Sequence, residues 1–189
     1  GLRIAKQVGG STRHTLYDES RQSLAELDQA GRIRRQYIWL ADMPLALVDA
    51  PEQGTALAVD ASTLARITAD VARIARSWLG RGEQIRWLHT NHLGAPEAVT
   101  DARGRVLWRA HYSPFGAARI STDRTQPFTL ELRLPGQVFD AETGLHYNRE
   151  RYYDPALGQY LTPDPLGTPD GPNPYAYVAY NPLGYIDPD

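Results

Sequence analysis

Asp140-Ala141-Glu142-Thr143-Gly144-Leu145, followed closely by Asp154-Pro155-Ala156-Leu157-Gly158-Gln159-Tyr160, shows one short unit twice: an aspartate, a few residues, a glycine, then strand-like sequence. The unit also occurs as Asp28-Gln29-Ala30-Gly31-Arg32-Ile33 and as Asp101-Ala102-Arg103-Gly104-Arg105-Val106. Aspartate opens a turn by accepting hydrogen bonds from its own downstream backbone, and glycine supplies the positive φ that closes it. With strands on either side, each unit reads as a hairpin. Residues Ile33–Leu40 and Arg105–Tyr112 read as strands. Thr129–Leu134 alternates, with Leu130, Leu132 and Leu134 on one face and Glu131 and Arg133 on the other. A lone hairpin is marginal, so repeated ones are expected to line up side by side. Such a sheet must manage its edges, and curling into a closed wall is one solution. The expected fold class is therefore mainly β: tandem hairpins in a curled, barrel-like sheet.

One segment departs from this pattern. From Ser62 to Leu79, apolar residues fall at Leu64, Ile67, Val71, Ile74 and Trp78, which line one face of a helix. Asp60 or Ser62 caps its start and Gly80 follows its end. An amphipathic helix near 62–79, carried by an insertion over 55–84, is expected to pack on the sheet, with docking of a partner as the alternative.

Bulk composition narrows the function classes. The chain has 189 residues, 42% of them apolar, enough to bury a core. Lys and Arg total 20 against 22 Asp and Glu, so nothing argues electrostatically for nucleic acid or an anionic membrane. There is no cysteine, which removes disulfides and thiolate metal sites. The N-terminus carries no charged-then-apolar signal, so any export is expected without a general secretory signal in this segment. The chain opens at Gly1 in mid-pattern, and a piece of something larger is expected.

Of 11 tyrosines and 14 prolines, eight of each fall after Gly144. Proline at that density forbids long helices and central ladder positions, so the last quarter should be aromatic and rich in turns. The tyrosines read either as cross-strand aromatic ladders or as a platform for stacking sugars. His89 and His92 have the spacing of a metal pair, but zinc needs three or four ligands, and hydrogen-bonded turn histidines are the simpler reading. No metal or cofactor is expected. Asn148, Arg149 and Arg151 read as strand residues on a solvated or ion-paired face.

Asp164 and Asp187 each precede proline. Asp then Pro is a good turn opening, with proline presetting φ at the second position. The other reading is a carboxylate pair. If the fold brings the two together, repulsion forces their proton affinities apart. One carboxylate then takes a proton from water while the other, protonated, polarises a carbonyl. That is aspartyl-protease chemistry, and on a tethered peptide it profits from high effective molarity.

Three blocks carry a family resemblance. Leu88-His89-Thr90-Asn91-His92-Leu93-Gly94-Ala95-Pro96 leads through Val99–Gly104 to Trp108-Arg109-Ala110-His111-Tyr112-Ser113-Pro114-Phe115-Gly116. Pro135-Gly136-Gln137-Val138-Phe139-Asp140 leads to Gly144-Leu145-His146-Tyr147-Asn148 and Arg151-Tyr152-Tyr153-Asp154-Pro155. The third runs from Asp164-Pro165-Leu166-Gly167 to Asp187-Pro188-Asp189. Together they resemble the core of Rhs/YD-repeat proteins, with Asn91 and Ser113 standing where aspartate is usual. Tyr17-Asp18 and Tyr153-Asp154 carry the tyrosine-aspartate dipeptide itself. The resemblance covers 85–189, and residues 1–189 are read as the C-terminal segment of such a core.

The resemblance implies a bacterial shell that encloses a toxin encoded after the core and that cuts itself just past the last Asp-Pro-x-Gly. It would make Asp164 and Asp187 the catalytic pair of a peptidase acting once in cis. Its partners would be upstream repeats of the same polypeptide, the enclosed toxin, and a secretion spike or adaptor. It would be made in the bacterial cytoplasm and delivered to a target cell. Some relatives carry arginine before the first aspartate of the terminal block; Pro163 stands there, and the sequence singles out neither Arg149 nor Arg151 in its place. A cell-surface adhesion module binding carbohydrate or protein through exposed tyrosines is the alternative.

Overall fold

The structure, a computed structural model, describes residues 1–50, 84–167 and 171–187. The helix expected near 62–79 and its 55–84 insertion lie outside the described residues, except that Gln84 opens a strand. The chain divides into two compact units, one of Arg3–Trp87 with Asp101–Gly104, the other of Gly1–Leu2, Leu88–Thr100 and Arg105–Asp189.

In the first unit the chain winds back and forth through β1 (Ala5–Val8), β2 (Ser11–Tyr17), β3 (Ser23–Leu27), β4 (Ile33–Leu40), β5 (Met43–Asp49) and the start of β6 (Gln84–Thr90). Each strand pairs antiparallel with the next in chain order. Ala46, Leu47 and Val48 on β5 and Tyr37 on β4 are buried. The strand expected at Ile33–Leu40 is β4.

The second unit holds two ladders. β7 (Pro96–Thr100), β8 (Val106–Tyr112) and β9 (Ala118–Thr122) form one, burying Val99, Leu107, Trp108 and Ala110. β10 (Val138–Asp140), β11 (Leu145–Asn148), β12 (Arg151–Asp154) and β13 (Gln159–Tyr160) form the other, again antiparallel and in chain order. The fold is mainly β, as the hairpin pattern implies.

The turn unit does what its chemistry requires. Gly31, Gly104, Gly144 and Gly158 close their turns at φ of 75°, 78°, 76° and 70°. Asp28 Oδ1 accepts from Ala30 and Arg32 N–H, Asp101 Oδ1 from Arg103 N–H at 2.9 Å, and Asp154 Oδ1 from Ala156 N–H at 2.8 Å. Asn91 Oδ1 accepts from Leu93 and Ala95 N–H, and Ser113 Oγ accepts from Ala117 N–H. The two positions that lack aspartate thus keep the acceptor that the turn needs.

Thr129–Leu134 differs from expectation. It is an extended segment joined to β10 by a single bridge, Leu132 to Val138, and not a strand. Its leucines are buried as the alternation implies, but Arg133 is buried too. The Arg133 guanidinium lies 4.6 Å from the Phe139 ring centre, and its Nη1 donates to the Leu130 and Leu132 carbonyls. Aromatic faces and carbonyls replace water around this cation.

Candidate functional site

The four-stranded ladder builds the site through its register. A two-residue connection, Arg149-Glu150, turns β11 into β12, with Arg149 at φ 52°. Asn148 then faces Arg151, His146 faces Tyr153, and Tyr153 faces Tyr160 on β13. Side chains alternate across a strand, so His146, Asn148, Arg151, Tyr153 and Tyr160 share one face.

Tyrosines fill that face. Tyr153 and Tyr160 have ring centres 5.8 Å apart, and Tyr177 packs at 4.7 Å from Tyr153 and 5.7 Å from Tyr160, all three fully buried. The Tyr153–Tyr160 and Tyr160–Tyr177 pairs are edge-to-face, an arrangement that adds about 0.5–1.5 kcal/mol each beyond the area buried. Tyr153 O–H donates to the Phe115 carbonyl at 2.8 Å. Tyr147 and Tyr152 form a further cross-strand pair at 5.7 Å on the opposite face. These five rings are ladder and core residues. Tyr175, Tyr180 and Tyr185 are exposed.

Arg151 is the hub. Its guanidinium carbon lies 3.6 Å from the Tyr160 ring centre. Nη1 is 2.9 Å from Asp164 Oδ2 and Nη2 is 3.2 Å from Asp187 Oδ2, with all three side chains only 11–14% exposed. The Nη2 contact is a hydrogen bond. The Nη1 contact is an ion pair by distance alone, because this buried nitrogen makes no hydrogen bond. Tyr160 O–H donates to Asp187 Oδ2 at 2.5 Å, and Asn148 Nδ2 donates to Tyr160 Oη at 2.5 Å. Burial, then the charge of Asp187, pushes the Tyr160 phenol far above its ordinary value.

Asp164 serves two purposes. Oδ1 accepts from Leu166 N–H at 2.8 Å and Gly167 N–H bonds its carbonyl, which is the turn; Oδ2 faces Arg151. The two readings of this aspartate are therefore compatible. Asp164 and Asp187, 23 positions apart in sequence, meet through one guanidinium, whose positive charge offsets the like-charge repulsion of a bare carboxylate pair.

Arg151, Tyr160 and Asn148 were not distinguished by sequence reasoning. Asn148 is buried, not on a solvated face, while Arg151 is ion-paired as that reading allowed. The signal was available: a two-residue turn after Asn148 fixes the pairing, and period-two alternation then puts Asn148, Arg151 and Tyr160 together. His89 and His92 bond separately, His89 Nε2 to Thr100 Oγ1 and His92 Nε2 to the Leu183 carbonyl, each at 3.0 Å. Among the described residues no group of three or more His, Asp or Glu is placed to hold a metal. His146 donates from Nδ1 to Gln137 Oε1 at 2.6 Å, and burial, with Arg133 nearby, holds its pKa at about 4.

Comparison with known proteins agrees with this architecture. The family model described as Teneurin YD-shell matches residues 79–181. The chain belongs to the YD-shell family. Among curated YD-shell relatives, Toxin protein Tse5 of Pseudomonas aeruginosa is 43% identical over 111 residues, 56% of this chain and 8% of that protein. Double-stranded DNA deaminase toxin A of Burkholderia cenocepacia is 40% identical over 148 residues, 74% of this chain and 10% of that protein. The chain thus spans about a tenth of the length of these relatives. In fold it is similar to the crystal structure of TcdB2-TccC3-Cdc42, with a TM-score of 0.58 at 22% identity over 97% of this chain and 9% of that one.

Proposed function

We propose that this chain is the closing wall segment of a toxin-enclosing shell, and that Asp164 and Asp187 cut the polypeptide shortly after Asp187 to free the enclosed domain. The observation that carries the reading is the arrangement of both aspartates on Arg151. Asp164 needs only its Oδ1 for the turn, so its Oδ2 on the cation that also holds Asp187 is not explained by turn formation. The toxin names of the relatives, and the small share of their length that this chain spans, favour a wall segment of a larger toxin-bearing polypeptide. Upstream repeats, the enclosed toxin and a secretion spike or adaptor are the proposed partners. The proposed route is synthesis in the bacterial cytoplasm and delivery to a target cell.

The chemistry is peptide hydrolysis. One carboxylate takes a proton from water as the water oxygen bonds to the scissile carbonyl carbon. The partner carboxyl gives its proton to the carbonyl oxygen. The C–N bond then breaks as the first carboxyl passes its proton to the leaving nitrogen and the partner takes its proton back from a hydroxyl of the tetrahedral intermediate. Both aspartates return to their starting states, and the new carboxyl and amine account for the water consumed. Because the cut peptide is tethered to Asp187, the step is unimolecular and needs no separate substrate pocket.

The test is Asp164→Asn in the full-length polypeptide, followed on a denaturing gel. Asparagine keeps an Oδ1 for the Leu166 N–H, so the turn survives while acid–base capacity is lost. Cleavage should fall by about 10²–10⁴-fold, and the parent's rate should be independent of protein concentration. Parent-like cutting by Asp164→Asn would reduce this residue to its turn.

A further inference from the structure

Asp187 sits beyond the last described strand, and what holds its carboxylate is a chain of side chains rooted in the sheet. Asn148 Nδ2 can only donate, and it donates to Tyr160 Oη. The single proton of the phenol is thereby directed at Asp187 Oδ2. Arg151 Nη2 donates to the same oxygen, and its guanidinium stacks on the Tyr160 ring. Asp187 Oδ2 thus accepts twice, from donors on β12 and β13.

Nothing in packing alone requires the phenol oxygen. The Tyr160 ring is held by Tyr153 and Tyr177 on its edges and by Arg151 on its face. Phenylalanine would keep every one of these contacts. Burying a hydroxyl next to a carboxylate costs free energy unless it is bonded, and here the phenol oxygen both accepts from Asn148 Nδ2 and donates to Asp187 Oδ2.

We propose that Tyr160, oriented by Asn148, is a positioning residue for Asp187 in self-cleavage: together with Arg151 it fixes the rotamer of the Asp187 carboxylate. The inference rests on the assignment of Asp187 to the cleavage chemistry. Tyr160 touches no reacting atom. It acts by removing the torsional freedom of a loop-borne carboxylate, and such freedom is costly because reacting groups must be held to within a fraction of an ångström.

The experiment uses Tyr160→Phe, Asn148→Asp and Asp187→Asn in the full-length polypeptide, with cleavage timed from pH 4 to pH 8. Asn148→Asp is isosteric but presents an acceptor, so it draws the phenol proton away from Asp187. Tyr160→Phe and Asn148→Asp should each slow cleavage at least tenfold. Because a donor to the carboxylate is lost, the acid limb of the rate profile should move to higher pH in both. A structural role alone would lower the melting temperature without moving that limb. If Asp187→Asn is uncut while Tyr160→Phe matches the parent in rate and profile, the positioning role is wrong and the cleavage assignment stands. If Asp187→Asn is itself cut like the parent, the cleavage assignment falls. Should Tyr160→Phe fail to fold, Asn148→Asp decides by the same criterion.

Discussion

Two ion triads of opposite composition occupy the two units. In the first unit Asp49 lies between two arginines, with Arg35 Nε at 2.7 Å and Arg86 Nε at 3.0 Å. In the second, Arg151 lies between two aspartates. Each region also has a tyrosine hydroxyl on a carboxylate, Tyr37 on Glu26 and Tyr160 on Asp187. The inventories are nearly the same and the architectures are not. Arg35 and Asp49 are register partners of β4 and β5, and Arg86 follows on β6, so strand pairing alone sets that triad. In the second, only Arg151 lies on a strand: Asp164 opens a turn, and Asp187 belongs to no described strand. A ladder triad with surplus cation can only stabilise. A loop-borne triad with a surplus carboxylate can also accept and release a proton.

The sharpest contrast comes from removing an arginine from each. Arg151→Met should lower cleavage in the full-length polypeptide by about 10²–10³-fold, the effect typical of losing one electrostatic stabiliser. Arg35→Met leaves Asp49 its contact with Arg86, so it should cost about 1–3 kcal/mol of stability and leave cleavage unchanged. Gel time courses and melting curves on both variants check this. Equal cleavage by the two would erase the distinction.

Acidification should separate the regions next. His146 is held near pKa 4, below its ordinary 6.5, by burial and by Arg133. The unfolded chain therefore binds this proton more readily than the folded one. The stability contribution is complete above about pH 6.5, declines as pH falls, and levels off below about pH 4. The loss should appear as faster amide exchange in β10–β13, amounting to a few kcal/mol. In His146→Gln that pH dependence should vanish; its persistence would assign the acid sensitivity elsewhere.

A smaller effect distinguishes one turn glycine from another. A Cβ at Gly158 would lie 2.8 Å from Phe115 Cδ1, whereas one at Gly104 meets nothing within 4 Å. Both adopt positive φ, so alanine strains either by about 1–2 kcal/mol. Gly158→Ala should cost roughly 1–3 kcal/mol more through overpacking. Identical melting temperatures for the two variants would show that Phe115 yields freely.

The hairpins were legible because their signals are local. An Asp and a Gly a few residues apart define a turn wherever they stand, and Ile33–Leu40 alternates strongly enough to be recognised as strand. Thr129–Leu134 was misjudged because alternation reports burial of its leucines and says nothing about whether a partner strand runs alongside. Arg133 defeated the polar-out assumption by finding aromatic faces and carbonyls inside. The site was half legible: Asp164 and Asp187 stood out by their repeated Asp-Pro pattern. Arg151 did not, because its role depends on carboxylates contributed 13 and 36 positions later in the sequence. Pairing of that range follows from tertiary placement, and propensity carries no trace of it.

The central claim is that the loop-borne triad does chemistry and the ladder triad does not. Its most direct measurement compares Asp187→Asn with Asp49→Asn in the same full-length polypeptide, quantifying cut and uncut product on a denaturing gel after identical expression. The account predicts that Asp187→Asn remains intact while Asp49→Asn, though less stable, is cut as completely as the parent. Cutting of Asp187→Asn at the parent's rate would contradict it.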